Sequence, residues 1–152
     1  MDSSMLVNQL RVRDLPYELE RELLAGGDET ARALLRLIDE SPVPGKQWPS
    51  VHAMGILFRM RSAMAAELRA ELYSTLLRQT RREQVEVRSK AATLLVGWLR
   101  TVSQELPSAL TPTEQSKAWS ALRVAQEMGL SKDANVLVSR ALAATHNRRN
   151  EE

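Results

Sequence analysis

The chain has 152 residues, 43% of them hydrophobic and 26% charged, with no cysteine and a formal net charge of +2. That is enough chain to bury a core without staples, and the missing thiols exclude disulfides, thiolate metal sites and a cysteine nucleophile. No window reaches the roughly 18 apolar residues of a membrane span. The opening "MDSSMLVNQLRVRD" begins acidic and has no basic-then-apolar order, so no secretory signal is expected and the location expected is cytoplasmic. Charge is unevenly spread: residues 1–50 hold 6 cations and 9 acids, residues 51–100 hold 9 and 4, and residues 101–152 hold 6 and 6. The middle third is therefore the basic one, a pattern able to steer partners electrostatically.

Every periodic segment reads as helix. A first helix is expected over Pro16–Ala25, with Pro16 in its first turn and Gly26 as its stop. Asp28 is then read as the cap of "DETARALLRLIDE", whose Ala31, Leu34, Leu35 and Ile38 recur at helical spacing. "SPVPGKQWPS" (Ser41–Ser50) is the Pro-rich interruption and reads as a loop. Trp48 within it is either a plug on the core or an exposed anchor.

Between Ser50 and about Gln84, Met54, Leu57, Phe58, Met64, Ala65, Leu68, Leu72 and Leu76 form one apolar stripe. This is one long helix, or two broken near Arg61-Ser62. Turning roughly 100° per residue, Arg61 falls near the middle of the stripe. Either the helix breaks there, or the side chain snorkels, or Arg61 is buried in an ion pair with an acid, the acidic N-terminal third being one source of it. The next helix is expected over Val85–Glu105, with Ala91, Leu94, Leu95, Trp98, Leu99 and Val102 inward. "TPTE" (Thr111–Glu114) is a capping-box start for a helix carrying Trp119, Leu122, Val124, Ala125 and Met128 and stopping at Gly129. Ser131 caps a last helix with Ala134, Leu137, Val138, Ala141 and Leu142, which frays into "THNRRNEE". The expectation is an all-α fold, a compact bundle or short helical-hairpin array of six to seven helices. It comprises a partly ordered segment over 1–15, one domain over 16–145 and a polar tail over 146–152.

Catalytic signatures are missing from this pattern. His52 and His146 lie far apart without metal-ligand spacing, and there is no phosphate loop, nucleophile elbow or zinc-binding helix motif. No enzyme activity, metal or cofactor is expected. "RQTRREQVEVRSK" (Arg78–Lys90) is the most basic stretch. Arg78, Arg81, Arg82, Arg88 and Lys90 are candidate contacts to a protein partner or to nucleic acid. No aromatic platform for bases lies among them, and Glu83 and Glu86 sit between, so a solvated helix end is the plainer reading.

"AWSALRVAQEMGLSKDANVLVSRAL" (Ala118–Leu142) resembles a tetratricopeptide-type helical hairpin in the order of Trp119, Leu122, Gly129, Ala134, Val138 and Ala141. The match deletes one residue before Gly129, has Arg123 at a usually small position, and occurs in one copy. Ala125, Gly129, Leu130 and Ser131 are also similar to the core of a helix-turn-helix DNA reader, with Asn135 where that family has an apolar residue. The first resemblance implies protein recognition, the second DNA recognition through a helix bearing Lys132 and Arg140. Taken together, the sequence predicts a non-enzymatic interaction module, adaptor or small subunit of a bacterial-type complex. The partner would be a protein, or a second copy; a nucleic-acid-associated helical protein is the alternative, and no membrane is expected.

Overall fold

The computed structural model describes residues 8–40, 47–101 and 109–151, with side chains left out at 39–40 and 146–151. Among these residues there are seven α-helices and no strand. They are α1 (Tyr17–Leu24), α2 (Gly27–Glu40), α3 (Trp48–Met60), α4 (Ala66–Gln79), α5 (Val85–Leu99), α6 (Pro112–Met128) and α7 (Lys132–Glu151). None of them is long and apolar enough to cross a membrane. Contacts cluster the chain into two compact units, Met1–Leu76 and Leu77–Glu152, each with buried apolar residues of its own.

In the first unit α2 packs on α3, and α1 on α3. Ala31, Leu34, Leu35 and Ile38 meet Ala53, Met54 and Leu57 in the buried set, together with Leu23 from α1. Asp28 is not the cap of α2, because the helix starts one residue earlier at Gly27, whose φ of 69° needs a residue without Cβ. The Asp28 carboxylate instead accepts from the Ala65 N–H (3.2 Å), close to the start of α4. The segment 50–84 is indeed broken near Arg61-Ser62. A 3₁₀ turn, Arg61–Ala63, is followed by Met64 in extended conformation (φ −86°, ψ 149°), and α4 begins at Ala66. The stripe survives the break, with Met54, Leu57, Met64, Leu68, Leu72 and Leu76 all buried and Phe58 and Ala65 half-buried.

The C-terminal unit is built on α5, against which α6 and α7 both pack. Val87, Ala91, Leu94, Leu95 and Trp98 of α5 bury against Ala118, Leu122 and Ala125 of α6 and Ala134, Val138 and Ala141 of α7. Trp98, at 2% exposure, is the largest side chain so enclosed. Fully burying an aliphatic side chain such as Leu95 is worth about 1.5–3 kcal/mol, the dominant kind of stabilisation in a unit this small.

The expected capping box is present: Glu114 N–H donates to Thr111 Oγ1 (3.2 Å) and Thr111 N–H to Glu114 Oε1 (2.9 Å). Gly129 ends α6 at φ 108°, and Gln126 Nε2 ties α6 to α7 by donating to Asn135 Oδ1 (3.1 Å) and Ser139 Oγ (2.7 Å).

Three further boundaries differ from expectation. α5 ends at Leu99, where Thr101 N–H closes a tight turn on the Trp98 carbonyl (3.0 Å); Val102 and Glu105 fall outside the described residues. α7 continues through the expected tail to Glu151, since no Pro or Gly follows Gly129 to interrupt the backbone ladder. Trp48 belongs to α3 and not to the Pro-rich loop. Pro49, in the first turn, has no N–H to lose there, so "WPS" starts a helix. The remaining loop positions, 41–46, lie outside the described residues.

Candidate basic groove

The Arg78–Lys90 stretch separates into parts with different roles. α4 ends at Gln79, and a turn carries Thr80 to Gln84 into α5. Thr80 Oγ1 donates to the Leu77 carbonyl (2.6 Å), and Arg81 and Arg82 N–H close back on the carbonyls of Arg78 and Gln79 (both 3.1 Å). Arg78 and Arg81 are exposed, while Arg82 is half-buried and donates from its guanidinium to Gln79 Oε1 (2.7 Å).

Arg88 leaves the candidate surface altogether. It is only 6% exposed. Its Nε donates to the Gly129 carbonyl (2.7 Å), and the same guanidinium donates to the Arg82 (2.6 Å) and Glu83 (3.2 Å) carbonyls. One residue on, Ser89 Oγ accepts from the Ser131 N–H (2.8 Å). The start of α5 thus holds the turn before it and the turn between α6 and α7. A buried charge needs such partners, because desolvation without them is prohibitive. Lys90 is half-buried, and burial lowers its ammonium pKa below the ordinary 10.5, so it too is a poor surface contact.

What remains exposed joins a surface the sequence did not flag. Leu77, Arg78 and Arg81 form one wall of a groove of about 620 Å³. The other wall is one face of α6, with Thr113, Ser116, Lys117, Ser120, Ala121 and Val124 at three- and four-residue spacing. α6 buries Ala118, Leu122 and Ala125 on its other side. The lining therefore offers three cations, three hydroxyls and an aliphatic strip of Leu77, Ala121 and Val124, and no carboxylate or imidazole among the described residues. Its surroundings reinforce the field: residues 77–152 hold 12 cations and 8 acids, net +4. Such a lining can bind carboxylates or phosphates by charge-assisted hydrogen bonds, but has no group suited to take a proton from a substrate.

The two other candidates lie in the first unit. Arg61, in the 3₁₀ turn, is half-buried, with its guanidinium 3.9 Å from the centroid of the Phe58 ring and donating to the Phe58 carbonyl (2.9 Å). Arg69 in turn donates to the carbonyls of Arg61 (3.3 Å) and Met64 (2.9 Å), tying the turn to α4. Nearby, Arg59 binds Glu20 of α1. Trp48 is half-buried, its ring stacked on His52 (centroids 6.2 Å apart, 28° between planes). His52 Nε2 lies 2.7 Å from the Val12 carbonyl, which fixes that nitrogen as a donor. Both are joints of the first unit, and neither lines the basic groove. The His146 side chain lies outside the described residues. No cluster of metal-ligating side chains occurs among those described.

No protein-family model, curated protein or solved structure matches this chain.

Proposed function

We propose that this chain is a non-enzymatic interaction module that docks an acidic helical segment of a protein partner in the groove between α6 and the end of α4. The observation that carries the reading is the lining itself: Arg78, Arg81 and Lys117 flank an aliphatic strip, and no carboxylate is among the lining residues. An amphipathic helix with apolar residues at helical spacing and flanking carboxylates complements both features. From Thr113 to Val124 the α6 face runs about 17 Å, at about 1.5 Å per residue, which matches three turns of a docked helix. Nucleic acid is the weaker occupant. Three cations make few phosphate contacts, and no aromatic side chain lines the groove to stack a base.

The test is direct binding of acidic amphipathic helical peptides to the wild type and to an Arg81→Glu/Lys117→Glu variant, beside duplex DNA and single-stranded RNA across a salt series. Saturable peptide binding, lost in the variant, is the expected result. A nucleic-acid complex that weakens steeply with salt and is lost in the same variant replaces this reading with the alternative. No binding of either kind overturns it.

A further inference from the structure

A second, smaller cleft lies where the C-terminal turn of α5 meets α6 and α7, and it shares no residue with the basic groove. We propose that it is a binding site for a small aromatic acid, an aromatic ring bearing a carboxylate or phosphate. Its volume is about 260 Å³, just under the roughly 300 Å³ at which ligand pockets usually begin, so it suits one ring with a compact head group. Buried Val96 and Ala141 line it, and the half-buried Trp119 indole supplies a flat apolar surface. Arg100 and Arg140 supply two exposed guanidiniums, and no carboxylate is among the lining residues.

Each part has a chemical consequence. An indole face favours another ring over an aliphatic chain of equal size. A guanidinium fork matches a carboxylate or phosphate in plane and spacing. The end of α5 opposes an anion, because a helix C-terminus carries a partial negative charge of about half a unit. Two whole positive charges outweigh it, and two of the late α5 carbonyls are already engaged: Val96 by the Arg100 N–H (3.2 Å) and Trp98 by the Thr101 N–H (3.0 Å).

Benzoate and phenyl phosphate are the probes, with benzyl alcohol and inorganic phosphate as the ring-only and charge-only controls. The readout is the Trp119 indole N–H in two-dimensional NMR, assigned with Trp119→Phe. Saturable shifts are expected with benzoate or phenyl phosphate at submillimolar concentration, and the stronger of the two identifies the head group. Neither control is expected to saturate. Arg140→Gln, at an exposed position with little effect on folding, is expected to weaken binding about tenfold, roughly one charge-assisted hydrogen bond. Ala141→Leu, which fills the cleft, is expected to abolish it. Arg81→Glu/Lys117→Glu is expected to leave it unchanged, which separates this site from the groove. No saturation by either probe, equal response to benzyl alcohol, or wild-type affinity in Arg140→Gln overturns the proposal.

Discussion

Replacing Arg88 by methionine is the sharpest test of how the C-terminal unit is held. The unbranched apolar side chain keeps the stem's packing and removes only the guanidinium. Two of the lost hydrogen bonds are short, to Gly129 (2.7 Å) and Arg82 (2.6 Å), and the third, to Glu83, is longer at 3.2 Å. A hydrogen bond to a charged group contributes about 1.5–3 kcal/mol, so the two short ones give a gross loss of about 3–6 kcal/mol. Part of this is recovered, because replacing buried ionic groups by packed apolar side chains is often neutral or itself stabilising, by up to about 4 kcal/mol. The carbonyls left behind keep the net destabilising, at about 2–3 kcal/mol. Urea unfolding followed by circular dichroism measures it, and the slope is expected to stay unchanged while the midpoint falls. Arg88→Lys is expected to fall between, since a single ammonium does not reproduce a fork that reaches three carbonyls. A loss under about 0.5 kcal/mol, the range of ordinary surface substitutions, would refute the reasoning.

Two further outcomes concern the same unit. Thr111→Ala removes the side-chain acceptor of the α6 capping box and is expected to cost about 1 kcal/mol in the same unfolding assay, with Thr111→Ser restoring most of it. Lys90→Met tests a linkage. The folded state holds the Lys90 pKa below the unfolded value of 10.5 because burial disfavours the ammonium, so between those two values the unfolded chain binds more protons. Stability from this group therefore rises with pH across that window, and the penalty is fully present below it. The variant is expected to be more stable at neutral pH and to have a flatter stability profile toward pH 10.5.

The helices were legible because their signals are local. The capping box at Thr111, the glycine stop at 129 and the apolar phase from Met54 to Leu76 each depend on residues within a turn or two. The break at Arg61 was legible as one of three alternatives, since a cation in an apolar stripe needs a bend, a route to water or a partner. Trp48 lies in a helix although the sequence around it looks like a loop, because proline serves equally in a first turn. Arg88 carries its burial in its phase: it sits three residues before Ala91 and seven before Leu95, on the buried side of α5, although its neighbours in sequence are basic. Lys117 had no local signal at all, because a lone lysine on an amphipathic helix looks the same whether or not a groove runs beside it. Only the packing of α6 near the end of α4 gives it company.

The bond from Arg88 to Gly129 joins a charge requirement to a backbone requirement. At φ 108°, Gly129 presents its carbonyl in a conformation that side-chain-bearing residues rarely adopt. Exchanging the glycine would therefore turn away an acceptor on which a buried cation depends, and exchanging the arginine would leave that conformation without its principal beneficiary. The two positions, 41 residues apart, behave as a single heritable character. Among descendants of this chain, a neutral side chain at 88 and a non-glycine at 129 should arrive together, and either alone should be rare.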